Sequence, residues 1–224
     1  MSADRLRLFQ LVSPALPVGA FSYAEGLEVL VQGGRLGGAA AVEAWLVAEL
    51  ERGALTLEAA ALVPLMEGLS DWRAGVAGAE AAVRELNGWL LAQREAAEMR
   101  AQQRQMGRSL LQLLADLGWP LPAPTALAWP AAWAWAGLCL ELPPLEVLEA
   151  YLYGWSANQI SAAVRLVPLG PTEAQRLQLA LAPLLAARAA ALVELDPRQL
   201  RNGGVGAGIA QLGHAELYSR LFRS

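Results

Sequence analysis

Strand-favouring residues are scarce in this chain. Among 224 residues, isoleucine occurs only at Ile160 and Ile209 and threonine only at Thr56, Thr125 and Thr172, while alanine and leucine dominate. β-Branched side chains suit a pleated, half-buried surface, whereas Ala and Leu lose little freedom in a helix. The chain therefore reads as all-α. At 55% hydrophobic it can bury one sizeable core, and its length lies within the range of one domain. It divides into a single-domain helical bundle, residues 1–200, and a flexible Gly-rich C-terminal tail, residues 201–224.

Apolar spacing and punctuation place the helices. A first one, about residues 3–12, is stopped by Pro14 and Pro17, and Ser22-x-x-Glu25 has the spacing of a capping box that restarts helix. Two helices follow at about 39–52 and 55–69, parted at Gly53, with Pro64 expected to end or kink the second and Asp71 to cap the next segment. From about 79 to 117 the pattern stays helical, with Met99, Met106, Leu110, Leu113 and Leu117 on one face and Gly118 closing it. The uncharged stretch from Trp119 to Leu140 holds four prolines, so it predicts a buried helix of about a dozen residues and not a membrane span.

Pro143 and Pro144 open a helix to about residue 167, whose uncharged run AYLYGWSANQISAAV marks the centre of the bundle. Asn158 and Gln159 within it need partners if buried, which favours a polar core network over a wet channel. Thr172 and Gln175 have capping-box spacing for a last long helix, about 173–195, with Pro183 and Arg188 interrupting its apolar face. Five glycines between Gly203 and Gly213 predict a mobile linker.

Composition removes several classes of chemistry. All seventeen basic residues are arginine, which excludes a Walker-type lysine and Schiff-base catalysis. Cys139 stands alone, and MSADRLRLFQ carries charge where a secretory signal needs an apolar run, so the expected location is cytoplasmic. A net charge of −4 opposes a broad grip on nucleic acid or a membrane surface.

The lone histidine, His214, reads as a tail residue with no catalytic role. The one metal arrangement open to it is pairing with its mate across a two-fold dimer. Glu25 with Glu28, and Glu95 with Glu98, share helix faces at i, i+3 spacing and read as solvated. Arg100, Arg104 and Arg108 form a stripe, for which tertiary ion pairing or solvation is favoured over an acidic partner or a phosphate.

Four segments carry a family resemblance: SPALPVGAFSYAEGLE, EMRAQQRQMGRSLLQLL, YLYGWSANQISAAVRLVPLG and HAELYSRLFRS. In this order, spanning nearly the whole chain, they resemble the urease accessory protein UreF family. The resemblance implies an all-helical, dimeric, non-catalytic protein. It would join the accessory protein UreD (also called UreH) and the GTPase UreG on apo-urease, and couple or regulate GTP hydrolysis during nickel insertion. No cofactor would be held stably, and nickel would at most be in transit.

Carried over by motif, the resemblance makes Pro17, Gly19, Phe21, Tyr23 and Glu28 partner-binding residues of the front segment, with Glu28 facing the GTPase. His214, Tyr218, Ser219, Arg220, Leu221, Phe222 and Ser224 would belong to a tail that orders when the UreD-type protein binds, with Arg220 reaching back toward Phe21 and Tyr23. The chain departs from the family pattern at Pro171, Gly213 and Ala215. Rival readings are a helical scaffold binding polyanions through the arginine stripe, and an enzyme using Glu25 or Glu28 with an arginine.

Overall fold

The computed structural model describes residues 2–224, and among these ten α-helices build the fold, with no β-strand. They are α1 Ser2–Leu11, α2 Leu27–Gln32, α3 Ala39–Arg52, α4 Ala54–Arg73 and α5 Ala79–Ala92, then α6 Ala97–Asp116, α7 Trp129–Cys139, α8 Pro144–Leu166, α9 Pro171–Leu192 and α10 Val205–Gly213. Helix α4 lies at the heart of the bundle, with Leu55, Leu57, Leu62, Leu65 and Leu69 almost sealed from solvent, against α3, α5, α7, α8 and α9. The uncharged run is equally central: α8 packs on α1, α2, α3, α4, α7 and α9. Among the described residues no helix is long and apolar enough to cross a membrane, and α7 has only 11 residues.

Several local expectations yield to tertiary packing. Helix α4 does not end at Pro64 and contains Asp71, which caps nothing. A mid-helix proline costs about 3 kcal/mol, and burial of Leu62, Leu65, Met66 and Leu69 around it, at about 1.5–3 kcal/mol for each large side chain, more than offsets that.

The expected continuous helix from 79 to 117 breaks between Ala92 and Ala97. The Gln93 and Arg94 amides close tight turns on Leu90 and Leu91, the Arg94 side chain turns inward, and Arg100 donates to the Arg94 and Glu95 carbonyls freed at the break. The arginine stripe thus loses its first member to a structural role, while Arg104 and Arg108 stay exposed.

Neither capping box forms. Gly19, in the left-handed region, starts a 3-10 turn over Ala20–Ser22, and α2 begins only at Leu27 after Glu25 and Gly26 adopt φ 50 and 84. Helix α9 starts at Pro171, whose preset φ suits the first helical position, leaving Thr172 inside the first turn with Gly170 as the cap. Pro183 is exposed and α9 continues past it. Arg188 donates to the Leu50 and Glu51 carbonyls at the end of α3, so it caps a neighbouring helix.

The polar core expectation holds for one residue of the pair. Asn158 Nδ2 donates to the Tyr23 carbonyl at 3.1 Å. Gln159 is fully buried, yet neither atom of its amide finds a partner among the described residues.

Candidate functional site

The front segment and the C-terminus form one docked unit. Helix α2 is short and follows a left-handed Gly26, which lets α10 approach closely: a Cβ at Gly26 would sit 3.0 Å from the Gln211 nitrogen. Beyond α10 the chain crosses α2 and runs back along the front segment. The Ser224 carbonyl accepts from the Ala24 and Glu25 amides at 2.8 and 3.1 Å, and the Arg223 amide donates to the Ser22 carbonyl at 2.8 Å.

Glu28 is the hub of this docking. Its side chain, 2% exposed, accepts from the Leu221 amide at 2.7 Å and the Phe222 amide at 3.0 Å. His214, sealed from solvent, places Nε2 at 3.5 Å from the same carboxylate and Nδ1 at 2.7 Å from Glu98 Oε2. Arg220 completes the row with an ion pair to the other Glu98 oxygen at 2.8 Å. Gln32 Nε2 donates to the Ser219 carbonyl at 3.1 Å. Ser224 Oγ donates to Gln102 Oε1, and Gln102 Nε2 in turn donates to Glu25 Oε1 at 2.8 Å.

These contacts revise several sequence expectations. The tail is not a loose linker here: its glycines lie in and around α10, and a Cβ at Gly208 would meet Glu95 Oε2 at 2.6 Å. Arg220 bonds Glu98 and not the front segment; Arg165 instead donates to the Phe21 carbonyl at 3.2 Å, with its guanidinium 4.5 Å above the Phe222 ring. Glu25 and Glu28 are buried and do not share a helix face, and Glu95 lies outside the helix that carries Glu98. Buried and bonded within its own chain, His214 cannot reach the mate of a second copy unless the tail undocks.

The residues singled out from the front and tail segments divide by exposure. Tyr23, Glu28, His214, Phe222 and Ser224 are buried and hold the unit together, while Pro17, Phe21, Tyr218, Ser219, Arg220 and Leu221 face solvent and Gly19 is half-buried. The docked tail also displays Val205, Ile209 and Leu212. Their i, i+4, i+7 spacing makes one apolar stripe on the outer face of α10, and Tyr218 and Leu221 extend the exposed apolar surface of the tail.

Sequence reading took Glu98 for a solvated residue and missed Gln102 and the buried pair Arg94–Glu58. One signal was present: Gln102 and Gln103 stand at i+3 and i+4 from Met99 and at i−4 and i−3 from Met106, so both fall on the apolar side of α6. Polar residues there imply a buried polar partner. Glu58 Oε1 accepts from Arg94 Nε at 2.8 Å and Gln103 Nε2 at 3.3 Å, Oε2 accepts from the Tyr151 hydroxyl at 2.8 Å, and Arg94 Nη2 lies 2.6 Å from Oε1. Burial pushes the Glu58 carboxyl up while Arg94 pulls it down; with three donors on the carboxylate we read the pair as ionised.

Glu49, 8% exposed at the end of α3, has its carboxyl raised from 4.5 to about 7, mainly by burial; Glu25 adds to the rise, and Arg94 and Arg52 oppose it. A raised carboxyl means that the folded state binds its proton more tightly than the unfolded one. Its contribution to stability is therefore full below about pH 4.5, falls as pH rises to about 7, and is flat above that. At roughly 1.4 kcal/mol per unit the loss is on the order of 3–4 kcal/mol. Glu49→Gln is expected to flatten this decline and raise stability at about pH 8, as measured by urea unfolding across this range.

Fold and site together define an all-α protein whose front segment and C-terminus form one docked unit bearing exposed apolar surface. Over 229 residues, covering both proteins in full, the chain is 35% identical to a urease accessory protein UreF from Prochlorococcus marinus strain MIT 9301. It is 39% identical over 222 residues to one from Alkalilimnicola ehrlichii, with 97% of this chain and 95% of the relative covered. It is likewise 39% identical over 227 residues to one from Trichormus variabilis, with 98% and 95% covered. The UreF family model matches residues 36–182. The chain belongs to the UreF family of urease accessory proteins.

Proposed function

We propose that this chain is a non-catalytic adaptor in urease maturation. It bridges a UreD/UreH-type accessory protein and a UreG-type GTPase on apo-urease, and couples GTP hydrolysis to nickel delivery, with nickel as cargo and not as a resident cofactor. It acts in the cytoplasm as a homodimer. The observation that carries this reading is the exposed stripe Val205, Ile209 and Leu212, with Tyr218 and Leu221 on the same tail. Isolated apolar side chains on a surface are ordinary, whereas several gathered on one short element mark a protein contact.

Family membership supplies the context of that contact. The relatives are accessory proteins of urease by name, and the docked tail gives the UreD-type protein an apolar face to cover. The polyanion reading draws little support, because Arg100 is already bonded to the turn before α6.

The test is to mix the full chain with UreD- and UreG-type proteins of a urease operon and follow complex mass by light scattering, with and without GTP and nickel. A ternary complex is expected, and Ile209→Asp with Leu212→Asp should abolish capture of the UreD-type protein while leaving the helical signal unchanged. Separate, well-folded components, or undiminished capture by the double variant, would overturn the reading.

A further inference from the structure

A cavity of about 330 Å³ lies between the front segment, α6, α7 and α8. Its polar lining includes the carboxylates of Glu25 and Glu58 together with Gln102, Gln103 and Tyr151, and among the described residues the lining has no arginine, lysine or histidine. Trp129, Trp133 and Trp155 supply aromatic wall, and Phe21, 69% exposed, and Tyr153, 42% exposed, mark the opening.

The two carboxylates differ. Glu58 is neutralised by Arg94 behind it. Glu25, 6% exposed, accepts only from neutral donors, Gln102 Nε2 at 2.8 Å and Trp155 Nε1 at 3.0 Å, and forms no ion pair among the described residues. Each of its oxygens retains capacity for a further donor. Beside it, Gln103 is 3% exposed; its Nε2 is used by Glu58, and its Oε1 has no partner among the described residues. The cavity thus sets two carboxylates against one guanidinium, Arg94, which acts on both, and carries a surplus of acceptors, enclosed by π-faces.

We infer that this cavity is a binding site for a small organic cation, a guanidinium or primary ammonium group on an apolar body. Such a group supplies the missing charge to Glu25 and donors to Gln103, and gains further attraction from the tryptophan faces. Anions are disfavoured by the two carboxylates. Among the described residues no group of three His, Cys, Asp or Glu is placed to hold a metal ion, so the lining suits a cation that brings its own donors. The inference stands apart from the adaptor reading, because it concerns the isolated chain.

The test uses the full chain, agmatine and butylguanidinium as probes, and butylurea as a neutral control of similar shape. Binding is read by calorimetry and tryptophan fluorescence. Both cations are expected to bind at least about tenfold more tightly than butylurea, and Glu25→Gln should weaken them by about tenfold or more, the loss expected for one charge-assisted hydrogen bond. A second variant guards against a folding artefact. Gly154 lines the cavity in mid-helix, and a Cβ there would find only Val12 Cγ1, at an ordinary 3.9 Å, so Gly154→Leu should fold, fill the space and abolish binding. No binding up to about 10 mM, weaker than about −3 kcal/mol, would overturn the inference. So would equal affinity for butylurea, or affinity unchanged in both variants.

Discussion

Arg94→Ala is expected to lower the unfolding free energy by about 3–5 kcal/mol, the range for breaking one side of a buried ion pair, read from urea unfolding followed by circular dichroism. Arg94 and Glu58 are each 4% exposed, so truncating the guanidinium leaves a buried carboxylate without its counter-charge. Burial alone would lower the Arg94 pKa, but Glu58 and Glu25 more than compensate and hold the guanidinium charged. Tyr151 cannot replace it as a counter-charge; burial and the nearby Glu58 push the phenol well up, so it remains a neutral donor. The double variant Arg94→Met with Glu58→Met should lose much less than Arg94→Ala, because the desolvation penalty disappears with the charges. A double variant as unstable as the single one would show that the loss comes from packing and not from the stranded charge.

Glu28→Ala is expected to release the tail. It removes the acceptor of the Leu221 and Phe222 amides and one of the two carboxylates beside His214. Losing hydrogen bonds to a buried charge costs about 3 kcal/mol, roughly a hundredfold in the docking equilibrium. Hydrogen exchange should show protection falling at Leu221 and Phe222 while amides in α4 are unchanged, and capture of the UreD-type protein should weaken with it. Unchanged exchange at the tail amides would mean that the Ser224 and Arg220 contacts suffice without Glu28. Deleting the residues after Gly208 should be harsher than a linker deletion, since it removes buried His214, Phe222 and Ser224.

Much of the fold could be read along the chain, and the exceptions have specific causes. Gly53 parts α3 from α4, Gly118 follows α6 with φ 93, and the proline-bounded tryptophan segment is a short core helix. These are local effects of backbone freedom and missing amides. The capping boxes failed because a motif of two residues competes with stronger constraints: Pro171 starts α9 early, and the Glu25 side chain is used by Gln102 and Trp155 across the fold. The tail is docked and partly helical in the structure for a related reason. Its glycines suggest freedom, but in the folded chain their missing side chains admit Glu95 and Glu49, which approach Gly208 and Gly204.

The site was legible as segments and not as an arrangement. The front and terminal motifs were both singled out, yet which of their residues are buried and which displayed could not be told from spacing. Tyr23 and Phe21 stand two positions apart, one 6% and the other 69% exposed. That difference follows from the turn set by Gly19 and from the tail lying over one side of it.

By itself, the sequence determined helix content and most helix ends, because periodicity, prolines and glycines act locally. Only the tertiary structure decided that Glu28 is a buried anchor for amides 193 and 194 residues away, that Arg94 breaks a helix to meet Glu58, and that Glu25 closes an acceptor-rich cavity. Buried charges are tolerated only where distant donors converge on them, and that convergence is a property of packing, which local sequence pattern does not encode.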